Sequence, residues 1–188
     1  MRLMESSRVA LALIVGVCFA ARLTTAMPAC DSKAKVPDTA RTFAKTSNED
    51  NWSEYRNIEA IPDLSLDGAA SAQFWLDPDG APSALMVEPG EDFWIYTRSC
   101  FNKKGGLVGV GFEVRTAWGW DYRLGGFIVN GHLQTISSGF FSTRNDQKIP
   151  RPDTADDVAD VLRPTLYLEM TKLPFAALLS RSSAAKSK

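Results

Sequence analysis

Every second residue from Val108 to Leu124 is apolar or weakly polar: Val108, Val110, Phe112, Val114, Thr116, Trp118, Trp120, Tyr122 and Leu124. The positions between them are mostly glycine or charged: Gly109, Gly111, Glu113, Arg115, Gly119, Asp121 and Arg123. Period two describes extended chain with one buried and one wet face, a pattern that no helix produces. The stripe therefore predicts a half-solvated antiparallel sheet at the centre of the protein. A straight strand over these residues would be about 57 Å long, far beyond ordinary strands, so the chain must bend or break. A two-residue hairpin loop switches the parity of the pattern, whereas a bend or a three-residue loop keeps it. The unbroken parity favours one strongly coiled strand bent near Gly119.

The same reading extends along the chain. Strand signals start at Gln73–Leu76, turn at Asp77-Pro78-Asp79-Gly80 and resume at Leu85–Val87; Phe93–Phe101 follows, then a loop at Asn102–Gly105. Asn130-Gly131 between Phe127–Val129 and His132–Ser138 signals a type I′ hairpin, since both positions must accept positive φ. Phe74, Phe101 and Phe127 each precede a glycine turn by four to six residues, as if one hairpin recurred along a meander. Residues 31 to 57 are polar and weakly periodic, with Asp38 placed to cap a short helix through Ala44. After Pro152, Asp153 caps a helix carrying Val158, Val161 and Leu162 on one face, and Pro164 ends it and starts a second through Leu173. The expected fold is α+β: a mostly antiparallel β-meander of about six strands with one or two C-terminal helices packed on one face.

A four-residue loop at Asn102–Gly105 pairs Phe101 with Gly106, and the register follows: Arg98 opposite Gly109, Tyr96 opposite Gly111, Trp94 opposite Glu113. Phe93, Ile95 and Thr97 then share the buried face. The wet face collects Trp94, Tyr96, Arg98, Cys100, Glu113, Arg115, Asp121, Arg123, Val129 and His132, the last through the pairing of Val129 with His132. A loop of three or five residues would exchange the faces of Phe93–Phe101.

Composition adds a location. Arg2 and Arg8 precede the uncharged run Val9–Ala21, which is too short to span a bilayer, and Thr24 and Ala26 supply the small residues of a signal-peptidase site. Residues 1–26 read as a signal peptide, 27–57 as an N-terminal arm, partly disordered, 58–179 as a single β-rich domain with its helices, and 180–188 as a disordered tail. Export places the protein in the periplasm or outside the cell, with no stable membrane span after cleavage. The short leader takes Arg2, Arg8 and Arg22 with Glu5, so the net charge moves from −1 to −3. Lysines and arginines are interleaved with acids, which argues against a nucleic-acid partner. Cys18 leaves with the leader, and Cys30 and Cys100 then have one intramolecular pairing open to them in an oxidising compartment.

The chain has no Gly-x-Ser-x-Gly elbow, no His-Glu-x-x-His, no paired Cys-x-x-Cys and no glycine-rich phosphate loop. No catalytic residue, metal ligand or cofactor is assigned. His132 is the only histidine and stands beside a turn glycine, where a solvent-facing hairpin residue is the competing reading. Glu113 and Asp121 share a face but lie about 26 Å apart on a straight strand, beyond the roughly 5 to 10 Å that a glycosidase needs. Each is expected to make an exposed ion pair with Arg115 or Arg123, worth under about 1 kcal/mol. Trp94 and Tyr96 suit a stacking platform for a sugar or for a partner's apolar anchor. The expectation is a non-catalytic exported binding module that meets a protein or glycan through Trp94, Tyr96, Arg98, Glu113, Arg115, Asp121, Arg123 and His132. The alternative is a small hydrolase using the carboxylates and His132.

Overall fold

A computed structural model describes residues 30–31, 33, 35–46, 50–62 and 68–185, so the leader read at residues 1–26 lies outside the described residues. Nine strands form one antiparallel sheet: β1 (Arg41–Lys45), β2 (Ser53–Tyr55), β3 (Ala70–Leu76), β4 (Pro82–Pro89), β5 (Phe93–Phe101), β6 (Leu107–Thr116), β7 (Trp120–Val129), β8 (His132–Ser142) and β9 (Lys148–Ile149). Their order is β2-β1-β3-β4-β5-β6-β7-β8-β9, a meander from β3 onward. Among the described residues the strand count is nine rather than about six. Two of the extra strands come from the polar stretch before residue 58, where β1 replaces the short helix that Asp38 suggests. Thr42, Phe43 and Ala44 are all buried, and the Phe43 ring stacks on Phe175 at 4.7 Å. A central strand can bury successive residues on its two faces, as these three require.

The central stripe is two strands, not one coiled strand. Arg115 pairs with Asp121, the Thr116 hydroxyl donates to the Trp120 carbonyl at 2.6 Å, and Ala117, Trp118 and Gly119 form the connection. This is the parity-preserving three-residue loop, and the alternation survives the reversal because the loop returns each residue to the face it left. Gly119 supplies the positive φ of +90°. The β5–β6 register also differs from the simple four-residue-loop reading: a bulge between Cys100 and Phe101 sets Arg98 opposite Gly111, Tyr96 opposite Glu113 and Trp94 opposite Arg115. The slip is two residues, so every side chain keeps its expected face. The Asn130-Gly131 hairpin forms with Val129 opposite His132 and both turn residues at positive φ.

One face carries the core. Ala72, Met86, Phe112, Val114, Trp120 and Phe140 meet Ala155, Val158, Leu162, Leu173 and Phe175 from the chain after Pro152. That covering chain is not the expected pair of helices. Among its described residues it makes three-residue 3₁₀ turns at Asp153–Ala155, Ala159–Val161 and Met170–Lys172, and Ala176–Ala185 alone is α-helical (α1). Apolar residues at Ala155, Val158 and Val161 recur every third position, the repeat of a 3₁₀ turn, while Pro164 and Pro174 interrupt any longer helix. The Trp120 indole N–H donates to the Thr154 hydroxyl at 2.9 Å and locks the first turn to the sheet. Arg41 clasps Glu54 of β2 through two hydrogen bonds of 2.8 Å and donates to the Leu178 carbonyl of α1 at 2.9 Å. α1 runs to Ala185, and residues 186–188 of the tail read at 180–188 lie outside the described residues.

Candidate functional site

The second face carries the charges. Because β6 turns directly into β7, Glu113 stands opposite Arg123 and Arg115 opposite Asp121. The two acids that a straight strand separates become diagonal neighbours. Arg115 Nη2 lies 3.1 Å from Glu113 Oε1, Arg123 Nη2 lies 2.9 Å from Asp121 Oδ2, and Arg123 Nε approaches Glu113 Oε1 at 3.6 Å. Asp146, from the β8–β9 connection, adds an oxygen 2.5 Å from Arg123 Nη2 and 3.1 Å from Lys33 Nζ. Arg123, and then Lys33, hold the Asp146 carboxyl below the usual aspartate range.

This network is not the exposed pairing that the sequence suggests. The Glu113 side chain is 2% exposed and that of Asp121 is 5% exposed. Taking two carboxylates out of water is costly, and the guanidinium groups placed across the strands offset that cost. Aromatic rings complete the shielding, with Arg115 over Tyr96 at 5.1 Å and Arg123 over Phe141 at 4.4 Å. Asp121 Oδ1 and Arg123 Nε are buried without a hydrogen bond among the described residues.

Next to the network, the sheet floor is paved by Gly111 and Gly125, which face each other across β6 and β7, and by Ser137 of β8. The missing side chains leave an open groove of about 280 Å³, walled by Phe127, Phe141 and Ile136, with Arg123 at one end. Cys30 and Asp31 form another wall. A disulfide between Cys30 and Cys100, with Cα atoms 6.0 Å apart, pins that segment to β5. Arg98 donates to the Asp31 carbonyl at 3.1 Å, and a Cβ on Gly109 would come within 3.1 Å of the Cys30 Cβ. The glycine is the seat on which the N-terminal segment rests.

The expected site residues therefore separate into groups. Glu113, Arg115, Asp121 and Arg123 converge, and Tyr96 lies against them. Trp94 stands at the margin, opposite Arg115 and 45% exposed. Arg98 is buried and engaged: its guanidinium lies over Trp75 at 5.0 Å and approaches Asp77 at 3.8 Å, where Asp77 also accepts from the Trp75 indole and the Ser83 hydroxyl. It holds strands together, and its side chain is 9% exposed. His132 is exposed at the hairpin tip, seven residues along β8 from the Gly139 that opposes Arg123 and so about 23 Å away. No acid–base couple with Glu113 or Asp121 forms at that range. Asp146, Lys33 and Phe141 join the site without a sequence signal, because each arrives from a distant segment. The glycine alternation in the central stripe is the one local sign of the groove.

A second cavity, of about 510 Å³, opens beside the core face between Trp52, Glu88, Tyr167, Lys45 and Asp50. Burial raises the Glu88 carboxyl above the ordinary glutamate range, and burial together with Glu88 raises the Tyr167 phenol. A carboxyl whose native pKa exceeds its unfolded value keeps its proton longer when folded, so stability declines as pH rises from the ordinary glutamate value through the raised one. Glu88→Gln is expected to melt like wild type near pH 4 and at higher temperature than wild type near pH 7.5. Thermal melts at both pH values check it; a variant that is no more stable at the higher pH removes the burial argument.

Comparison with known protein families, with curated proteins and with solved structures finds no match. Among the described residues no helix is long and apolar enough to cross a membrane, and no three His, Cys, Asp or Glu side chains are grouped to hold a metal ion.

Proposed function

We propose that the protein is exported to the periplasm or beyond the cell and works as a non-catalytic binding module, with the groove on its charged sheet face receiving part of a protein or glycan. The carrying observation is the division of labour on that face. The four charged side chains of β6 and β7 are engaged with one another and with Asp146, while the groove beside them is floored by glycine and walled by Phe127, Phe141 and Ile136. A preformed apolar cleft with a few polar groups at its rim suits recognition. Glu113 is 2% exposed and its Oε1 is engaged by Arg115 at 3.1 Å, which supports a structural rather than a catalytic role. Exposed Trp94 and half-exposed Arg115 extend the contact surface along β5 and β6. A disulfide is at home in an oxidising compartment, which supports export.

The test uses two variants that leave the core alone. Ser137→Trp fills the groove, and Trp94→Ala removes the marginal indole. Proteins of the exported fraction and a glycan array serve as ligands, and each captured ligand is titrated against wild type and both variants. Ser137→Trp is expected to weaken binding at least about tenfold and Trp94→Ala about five- to tenfold, with melting temperatures unchanged. A ligand bound equally well by all three proteins overturns the placement of the site on this face.

A further inference from the structure

The core face of the sheet has a notch beside its hydrophobic cluster. Met86 points into the core, so Glu88, two residues on along β4, shares its face. Ala70 of β3 stands opposite Lys45 of β1 and, one step beyond the Ser71–Val87 pair, beside Glu88. A base, a methyl group and an acid therefore lie in one row across three strands, the outer two backbones about 10 Å apart. Trp52, whose ring tilts on Phe175 at 5.5 Å, and Tyr167 complete the walls of the cavity of about 510 Å³ over this row. Tyr167 is close enough to Glu88 that burial, and then the Glu88 charge, raise its phenol above the ordinary range. The remaining charge in the lining is Asp50, which is exposed.

The charges of the row are uncompensated. Among the described residues the side chains of Lys45 and Glu88 make no ion pair or hydrogen bond. Burial alone acts on the Glu88 carboxyl, with no cation near enough to oppose it. Taking a carboxylate partly out of water without a partner is costly, and the buried acids of the opposite face, Glu113 and Asp121, each have an arginine. Glu88 has a cavity in that place.

We propose that this cavity binds a small zwitterion on the scale of a free amino acid, its ammonium group against Glu88 and Tyr167 and its carboxylate against Lys45. The row selects both the chemistry and the size. A simple cation meets its own sign at Lys45 and a simple anion meets its own at Glu88, whereas a molecule carrying both charges satisfies the two walls together. An amino acid holds its ammonium and carboxylate on one carbon, a separation that fits between side chains reaching inward over Ala70. The rings of Trp52 and Tyr167 suit an ammonium or an apolar side chain. Glu88 is half-buried and Lys45 exposed, so the ammonium takes the inner end.

Calorimetric titration of protein expressed from the full chain, near pH 7.5, with each of the common free amino acids up to about 10 mM is expected to find at least one bound with a dissociation constant below about 1 mM. Its C-terminal amide, which lacks the anion, and its N-acetyl derivative, which lacks the cation, are expected to bind at least about tenfold more weakly. Glu88→Gln and Lys45→Gln each weaken binding of the parent amino acid at least about tenfold. In Glu88→Gln the N-acetyl derivative binds as well as its parent, an equality that a merely structural role of Glu88 does not produce. No amino acid bound over that range, a derivative that binds wild type as tightly as its parent, or wild-type affinity in Glu88→Gln overturns the proposal. Ser137→Trp, on the opposite face, leaves this affinity unchanged, so failure of the cavity and failure of the groove are read separately.

Discussion

Replacing Cys30 and Cys100 together by alanine is expected to cost about 4 kcal/mol of folding stability and to lower the melting midpoint by about 10 °C. The disulfide closes a loop of 70 residues that spans β1 to β5, and cutting it restores the freedom of that loop to the unfolded chain. The native state also loses contacts, since the Arg98 hydrogen bond to Asp31 and the packing of Cys30 on Gly109 depend on the segment staying in place. Calorimetry of the wild type with and without reductant, beside the double variant, measures the effect. Reduced and oxidised protein melting within a degree of each other would sink it. Because Cys30 and Asp31 wall the groove, the same variant is expected to bind more weakly than Trp94→Ala even below its melting transition.

Glu113→Ala should destabilise the fold by about 3 to 5 kcal/mol, the loss typical of a buried ion pair stripped of one partner. The carboxylate is sealed between Arg115 and Arg123, and its removal leaves a guanidinium that is itself 18% exposed without one of its counter-charges. Glu113→Met with Arg123→Met is expected to be no more stable than Glu113→Ala, because Asp121, only 5% exposed, then loses the guanidinium that compensates its own burial. Urea unfolding of the two variants, compared by midpoint and slope, provides the check. The result also separates architecture from chemistry: a carboxylate whose task was turnover would lose activity on substitution while the fold held. Either variant as stable as wild type would mean that the network contributes nothing to the fold.

Much of this was legible locally. Alternation in Phe93–Phe101 and in the central stripe identifies strands and assigns side chains to faces, because period two is a property of one strand alone. Asn130-Gly131 marks its hairpin because only such residues accept the left-handed conformation at both positions. The face shared by Trp94, Tyr96, Glu113, Arg115, Asp121 and Arg123 survives a two-residue register slip that the sequence does not reveal, since parity is insensitive to even shifts. Other features escaped for an equally physical reason. Arg41–Lys45 has weak strand character of its own and is held extended by Phe175 and Ala72. The apolar residues after Asp153 match a helix and a string of 3₁₀ turns alike until packing on the sheet selects one.

Alternating polarity alone determined that this chain builds an antiparallel sheet with one dry and one charged face, because each side chain's direction along a strand follows from its number. Tertiary structure alone decided that Glu113 and Asp121 lie side by side, that Asp146 and Lys33 reach them, and that glycines opposite one another open a groove. Those relations join residues brought together by a loop reversal and by a disulfide, and distance through space is not written in distance along the chain.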